Sequence, residues 1–325
     1  MADGDRRTLG ELGEGGVLLV SRALEAGWPR SSLTRALRAE GWTQLRHGAW
    51  AEPGRTPDLV TRLRAMQLLE PRLVVSHRSA AALWLIETLA PATSVRPLDF
   101  ILPELNHRPK GKGIRVHRLP LAPDEVTERQ GLRVTGAIRT VADLLRAGPQ
   151  DEALVAVDSA LSRRTVGGVR RAPLTVHATL AAALDSPIRG SARARRWLEL
   201  ADPGAGSPAE TMARLRMHDA GLHPESQAEL RTPDGRRCFL DFLFRAEGLG
   251  VEIEGYAYHG TRESHRRDVD RFNRIAQCPE VRLVLRFTAE DVIHRLAWVI
   301  QQIRAALATC ASWAPATGGA VRAWA

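Results

Sequence analysis

Two apolar segments near the C-terminal end of the chain carry acids where packing side chains are expected. The first is Phe-Leu-Asp-Phe-Leu-Phe at 239–244 and contains Asp241. The second is Val-Glu-Ile-Glu-Gly at 251–255 and contains Glu252 and Glu254. The pattern predicts two paired β-strands, and three carboxylates that converge there are costly to bury without a cation. A divalent metal ion held by hard oxygen ligands is therefore expected.

A fourth acid precedes these strands at the start of a predicted helix. In Ser207-Pro208-Ala-Glu210, the serine is a typical N-cap and the proline fits the first helical position. Glu210 either orients a metal-bound water or is an ordinary first-turn acid favoured by the helix dipole. Both interpretations remain open from these residues alone.

The order of these motifs resembles the PD-(D/E)XK nuclease fold. More narrowly, residues 207–287 resemble a domain of unknown function related to the very short patch repair (Vsr) endonucleases. The matching segments are Ser207 to Glu210, Gly221-Leu222, Gln227, Asp241-Phe242, Glu252 to Gly255, Tyr258-His259, Asp270-Arg271 and Val284 to Phe287. Relatives usually carry Asp or Lys where this chain has Glu254. The resemblance implies an α/β restriction-endonuclease-like domain that acts on DNA.

Each acid has an expected role in such a site. Asp241 and Glu252 are predicted ligands of Mg²⁺ or Mn²⁺, because no Cys/His set is present for zinc. Glu254 either completes the metal site or places the attacking water. By the resemblance, His259 performs general acid/base chemistry, the alternative being a surface-loop histidine. Downstream cations suited to DNA phosphates are Arg266, Arg271 and Arg286. The alternative for the helix that carries the first two is a paired, solvated helix, and Arg286 either points toward the site or pairs with an acid there.

The first 55 residues have the pattern of a winged helix-turn-helix. A helix is predicted over 17–26, and Gly-Trp-Pro at 27–29 predicts a turn. A second helix follows over 30–40 and ends at glycine, and 42–51 predicts a small hairpin. This stretch resembles the N-terminal domain of the AbiEi-type abortive-infection antitoxins.

The predicted second helix would enter the DNA major groove, and the hairpin would meet phosphate. The candidate DNA contacts are Ser31, Ser32, Thr34, Arg35 and Arg38 on the helix and Arg46 on the wing. A formal net charge of +9 favours nucleic acid as a partner through counterion release. The alternative is a helix-turn-helix that contacts protein or that has lost its DNA contact.

The remaining residues connect these two ends. Ser76 is predicted to cap a helix that reaches Leu89, and 151–200 is Ala/Leu-rich and predicts helices. The segments expected are the winged helix (1–55), a middle α+β module (56–150), a helical connector with linker (151–206), the endonuclease-like domain (207–310) and a flexible tail (311–325).

Composition favours a folded cytoplasmic protein outside the membrane. The chain has 325 residues, of which 44% are hydrophobic, and no run of eighteen apolar residues occurs. The first residues lack the apolar core of a signal peptide. Three widely spaced cysteines match neither a zinc site nor a disulfide framework.

The sequence therefore predicts an α+β multidomain DNA-binding protein. Its C-terminal domain is expected to hydrolyse DNA phosphodiester bonds with Mg²⁺ or Mn²⁺, directed or regulated by the winged helix. A toxin or another defence component is a candidate protein partner. The first alternative is a transcriptional repressor or antitoxin-like regulator whose nuclease fold is inert. The second is a scaffolding member of a defence or toxin–antitoxin system.

Overall fold

The computed structural model describes residues 7–89, 97–103, 113–254 and 262–312. Within these ranges the chain has twelve α-helices and fourteen β-strands in four sheets, which is a mixed α and β architecture. It divides into two compact units, residues 1–148 with 177–195 and residues 149–176 with 196–325. The predicted connector at 151–206 is thus shared between the units.

The first unit begins with a small three-stranded sheet and two helices. These elements are β1 (Val17–Leu19), α1 (Val20–Glu25), α2 (Arg30–Ala39), β2 (Thr43–Arg46) and β3 (Ala49–Ala51). The strand order is β1-β3-β2, and both pairings are antiparallel. Leu33, Leu37, Trp42 and Trp50 pack into one core. Because the buried run Val17–Leu19 pairs with β3, the prediction of a helix from residue 17 is wrong for its first three residues.

A five-stranded sheet and three helices follow in the first unit. These elements are α3 (Leu59–Leu69), β4 (Val74–Val75), α4 (His77–Leu83), β5 (Leu98–Ile101), β6 (Ile114–His117), β7 (Val126–Arg129), β8 (Leu132–Thr135) and α5 (Ala137–Ala147). The strand order is β6-β5-β4-β8-β7. The pairs β5/β6 and β4/β8 are parallel, and the other two pairs are antiparallel. Leu63, Phe100 and Val134 lie in its core.

The start of α4 differs from the expectation. Ser76 occupies the predicted N-cap position, but its hydroxyl makes no capping hydrogen bond. Instead it lies 3.0 Å from Nδ1 of His77, which has a left-handed φ of +47°. The imidazole stacks on His117, with ring centroids 3.6 Å apart. The helix also ends at Leu83 instead of Leu89.

Residues 149–198 are only partly helical. They form α6 (Gln150–Leu161), β9 (Arg164–Val166), β10 (Val169–Arg171), α7 (His177–Ala183) and α8 (Ser191–Leu198). The two strands make an antiparallel hairpin whose turn is Gly167-Gly168, with φ of +56° and +79°. The prediction of helices throughout is therefore wrong at 164–171, because two consecutive left-handed glycines favour a hairpin turn.

The second unit is built on a four-stranded sheet. Its remaining elements are α9 (Pro208–Asp219), β11 (Glu225–Arg231), β12 (Arg237–Phe244), β13 (Leu249–Glu254), α10 (Arg262–Ile275), β14 (Leu283–Thr288), α11 (Ala289–His294) and α12 (Leu296–Ser312). Strands β11, β12 and β13 are antiparallel neighbours, and β14 pairs with β13 in parallel. One apolar cluster includes Phe242, Val251 and Val299, and a second includes Leu240 and Ile275.

No helix in the described part of the chain has both the length and the apolar character needed to cross a bilayer. The predicted flexible tail at 311–325 lies, from residue 313 onward, outside the described residues.

Candidate active site

Helix α9 delivers the first acid to the site. The Oγ of Ser207 accepts the backbone N–H of Glu210 at 3.1 Å, and Pro208 opens the helix, so the predicted helix start is confirmed. Glu210 is 7% exposed. Its Oε2 accepts the backbone N–H of Gly206 at 2.6 Å. The turn before α9 thus holds the carboxylate against the body of the unit.

A buried acid on α6 anchors the same helix. The carboxylate of Asp158 accepts hydrogen bonds from Thr211 Oγ1 at 2.9 Å, Arg214 Nη2 at 2.8 Å and the backbone N–H of Asp202 at 2.7 Å. Burial raises the pKa of Asp158, while the charge of Arg214 opposes that rise. No sequence pattern marks Asp158 for this role, because its partners lie more than forty residues away along the chain.

Strands β12 and β13 bring two further acids to the same region. Phe242 pairs with Val251, so Asp241 and Glu252 occupy the next position on each antiparallel strand. They are 8% and 3% exposed. Oδ2 of Asp241 accepts the backbone N–H of Ile253 at 2.8 Å. The side chain of Asp241 therefore reaches across to the neighbouring strand where the two strands stop pairing.

Gln227 on β11 connects two of these acids. Its Nε2 donates to Glu210 Oε2 at 3.0 Å and to Asp241 Oδ1 at 3.2 Å. Its backbone has a φ of +48°, a conformation that residues other than glycine rarely adopt inside a strand. Gln227 belongs to the segments that carry the family resemblance, but nothing in the sequence assigned it a contact. The structure places it at the centre of the acid cluster.

Arg271 on α10 neutralises the third acid. Its Nη1 and Nη2 donate to the two carboxylate oxygens of Glu252 at 2.7 and 2.9 Å. Nη2 also donates to the backbone carbonyl of Phe239 at 3.0 Å. This two-pronged pairing is the geometry in which a guanidinium binds a carboxylate most strongly. The sequence assigned Arg271 to DNA phosphate, whereas in this state it binds an acid of the site.

The three acids influence one another electrostatically. Burial, and next the negative charge of Asp241, raise the pKa of Glu210 to about 7. The same two causes raise the pKa of Glu252 to about 7, against the opposing charge of Arg271. Burial also raises the pKa of Asp241. A cluster that disfavours its own negative charge in this way is stabilised by a bound cation.

The donor chemistry of this cluster suits Mg²⁺ or Mn²⁺, since Glu210, Asp241 and Glu252 offer hard carboxylate oxygens. Among the described residues, no three His, Cys, Asp or Glu side chains are arranged as a complete ligand set. Both oxygens of Glu252 accept hydrogen bonds from Arg271. The residues fit a divalent ion by the chemistry of their carboxylate oxygens and not by their present arrangement. Glu252 is the ligand whose partner would change on metal binding.

The other predicted residues of this domain lie around the cluster. Glu254 forms an ion pair with Arg286 and not a contact with Asp241. The guanidinium of Arg286 lies 3.5 Å above the ring centroid of Phe272. Arg266 is exposed on α10, and the predicted acid/base residue His259 lies outside the described residues.

The candidate DNA-contact residues of the first unit lie mainly on one face of α2. Leu33 and Leu37 are buried, which leaves Ser31, Thr34, Arg35 and Arg38 exposed and Ser32 half-buried. This spacing of three and four residues defines one helix face. Arg46 ends β2 and is half-buried.

Comparison with known proteins gives distant relatives. No model of a known protein family matches the chain. The chain is 27% identical over 250 residues to an uncharacterized protein of Mycobacterium tuberculosis strain CDC 1551 / Oshkosh, covering 76% of this chain and 86% of that protein. It is equally similar to an uncharacterized protein of strain ATCC 25618 / H37Rv. Neither description states an activity.

Proposed function

We propose that the second unit is a metal-dependent endonuclease that hydrolyses DNA phosphodiester bonds. The observation that carries the proposal is the buried cluster of Glu210, Asp241 and Glu252, joined by Gln227 and flanked by Arg271. Acids and an arginine side by side suit a reaction in which a metal ion and a phosphate meet. The mixed sheet β11-β12-β13-β14 supports a restriction-endonuclease-like fold of the PD-(D/E)XK type.

Each residue of the proposed active site has its own role in the reaction. Asp241 and Glu252 would hold Mg²⁺ or Mn²⁺, which supplies positive charge to the phosphate and lowers the pKa of water. Glu210, whose pKa in the metal-free protein is raised by burial and by the charge of Asp241, would accept a proton from the attacking water. Gln227 holds Glu210 and Asp241 at a fixed separation. Proton donation to the leaving oxygen is assigned to His259.

Cationic side chains would place the DNA. Arg271, Arg266 and Arg286 would contact phosphates beside the acid cluster. In the first unit, α2 with strands β1, β2 and β3 is proposed to act as a winged helix, with Arg35 and Arg38 directed at DNA. Two separate DNA contacts on one chain would let the first unit direct or regulate cleavage by the second.

Purified full-length protein tests this proposal on supercoiled, linear and single-stranded DNA with Mg²⁺ or Mn²⁺. Wild-type protein is expected to nick or cut in a metal-dependent way, and Asp241→Asn and Glu252→Gln to lose the activity without unfolding. The control is Asp219→Asn, an acid on α9 that pairs with Arg216 away from the cluster. Absence of metal-dependent cleavage on every DNA form would contradict the proposal.

A second candidate function rests on the Arg271–Glu252 pair. An acid already neutralised by arginine is what a DNA-binding regulator with an inert nuclease fold would retain. Such a protein, acting as a repressor or antitoxin-like component beside a toxin or defence partner, would bind DNA in a salt-sensitive way and cut none. A gel shift that survives in Asp241→Asn, together with no cleavage by the wild type, would favour it.

A further inference from the structure

Arg271 and Glu252 are very differently exposed. The side chain of Glu252 is 3% exposed and that of Arg271 is 38% exposed, so the pair joins a buried carboxylate to a guanidinium that reaches solvent. Of the two partners, Arg271 is therefore the one that is more accessible to an ion or a phosphate in solution.

A second cation is disfavoured at Glu252 in its present arrangement. Both carboxylate oxygens accept from the same guanidinium, at 2.7 and 2.9 Å. A metal ion needs an oxygen lone pair on that carboxylate, and its charge repels the guanidinium at such short range. A divalent ion and Arg271 should therefore compete for Glu252.

Arg271 has contacts other than the carboxylate. Its Nη2 also donates to the carbonyl of Phe239 at 3.0 Å. Its Cζ lies 5.7 Å from the centroid of the Phe272 ring. A guanidinium fits phosphate oxygens with the same two-pronged geometry that it uses for a carboxylate. The same side chain therefore suits either anion.

We propose that Arg271 is a displaceable counter-ion that holds Glu252 until a divalent metal ion binds, and that then turns to the scissile phosphate of DNA. This inference rests on the proposed function, since it concerns the same site. It makes metal and DNA binding cooperative, because a phosphate that binds Arg271 releases Glu252 for the ion. By reciprocity, the ion then strengthens the DNA contact by the same factor.

A second arginine–glutamate pair of the same unit supplies an internal comparison. Arg245 follows β12 and donates through Nε to Glu225 at the start of β11 at 2.8 Å, and both side chains are 46% exposed. This pair lies on the surface and has no assigned role in metal or DNA binding. Removing Arg245 should therefore leave the metal affinity unchanged, whereas removing Arg271 should raise it.

The experiment titrates Mn²⁺ into the full-length protein without DNA and follows the melting temperature. The proteins compared are wild type, Arg271→Gln, Arg271→Lys and Arg245→Gln. For Arg271→Gln, the Mn²⁺ concentration that gives a set rise in melting temperature above the metal-free protein should fall on the order of tenfold, because a strong charge-assisted pair no longer competes. Arg271→Lys should need an intermediate Mn²⁺ concentration, since lysine keeps the positive charge and loses the two-pronged geometry. Arg245→Gln should match the wild type.

DNA cleavage at saturating Mn²⁺ is the second readout. Arg271→Gln should bind the ion more tightly and yet cut DNA about a hundredfold more slowly, because the phosphate loses its arginine. A residue that merely supports the fold would weaken both properties together. Circular dichroism checks folding, and Arg271→Lys serves if the glutamine variant does not fold.

The outcomes separate this inference from the proposed function. Tighter Mn²⁺ binding by Arg271→Gln with no cleavage by wild type would support the counter-ion and contradict the endonuclease. An unchanged or weaker Mn²⁺ affinity in folded Arg271→Gln would overturn the counter-ion. A wild-type protein that does not bind Mn²⁺ would overturn it as well.

Discussion

Gln227 donates its side-chain amide to Glu210 at 3.0 Å while its own backbone is held at a left-handed φ of +48°. An L-residue in that region costs on the order of 1 kcal/mol. The same amide reaches Asp241 at 3.2 Å, so one donor serves two buried acids. The strained backbone is thus located where the site needs a shared hydrogen-bond donor, which indicates a positioning role for Gln227.

Two substitutions of Gln227 should separate the effect of the backbone strain on the free energy of unfolding from the effect of the hydrogen bonds. Gln227→Ala loses both hydrogen bonds and keeps the strain, so we expect the free energy of unfolding to fall by about 1–3 kcal/mol. Gln227→Gly relieves the strain and should lose roughly 1 kcal/mol less. Urea denaturation measures both values, with the exposed Gln301→Ala on α12 as control. Equal losses for the alanine and glycine variants would show that the backbone is not strained.

A side chain at Gly206 should displace the carboxylate of Glu210. A Cβ atom added there would lie 2.9 Å from Oε1 and 3.0 Å from Oε2 of Glu210, and the backbone N–H of Gly206 already donates to that carboxylate. Gly206→Ala is expected to destabilise the protein by about 1–3 kcal/mol and to weaken Mn²⁺ binding. The control is Gly10→Ala, where an added Cβ meets nothing within 4 Å. Wild-type stability and metal affinity in Gly206→Ala would refute the expected clash.

The acids of the site were predictable from the sequence because their signals are local. Asp241 and Glu252 stand out inside apolar runs, and Glu210 follows a serine–proline helix start. Gln227 and Asp158 could not be assigned contacts in the same way, because their partners are brought together only by the folded sheet and helices. A long-range hydrogen bond leaves no periodic pattern in the chain.

Two elements show how tertiary pairing overrides local pattern. Val17–Leu19 continues an apolar run that suits a helix, yet these residues extend because β3 is available as a partner. The hairpin at 164–171 interrupts an Ala/Leu-rich stretch at Gly167-Gly168, a turn signal that the helical composition obscured. The strand at Val17–Leu19 formed because a pairing partner was present, and the hairpin at 164–171 formed because of its glycine turn. Composition predicted neither.

The stability of the metal-free protein should fall as pH rises towards neutrality because of Glu252. Its pKa is raised to about 7 in the folded state from an ordinary value of 4.5. The folded state then binds the proton more tightly, so this contribution is fully present below pH 4.5 and is lost as pH rises through about 7. Between about pH 5.5 and about pH 7.5, wild type should lose roughly 1–2 kcal/mol more than Glu252→Gln. Equal pH slopes in urea denaturation would refute this, and Mg²⁺ should reduce the wild-type loss.

His77 should produce the opposite pH dependence in the first unit. Burial, and then the charges of His117 and Arg139, lower the pKa of His77 to about 2 from 6.5. The unfolded chain takes up this proton more readily, so stability present above pH 6.5 is lost as pH falls. We expect His77→Asn, which tolerates the left-handed backbone, to reduce that loss by roughly 1–3 kcal/mol between about pH 6.5 and about pH 4.5. Acid denaturation of wild type and variant in parallel measures the difference, and identical acid slopes would contradict it.

Removal of two exposed arginines of α2 should weaken DNA binding and reduce its salt dependence. Arg35 and Arg38 lie exposed on the face opposite Leu33 and Leu37. Each phosphate contact contributes about 0.9 to the slope of log affinity against log salt. Arg35→Ala/Arg38→Ala is therefore expected to lower that slope by up to about 2 in a binding titration on duplex DNA. The control is Arg22→Ala on α1, whose guanidinium pairs with Glu14. If the double variant keeps the wild-type slope while DNA still binds, Arg35 and Arg38 do not contact phosphate, and the DNA contact lies elsewhere on the chain.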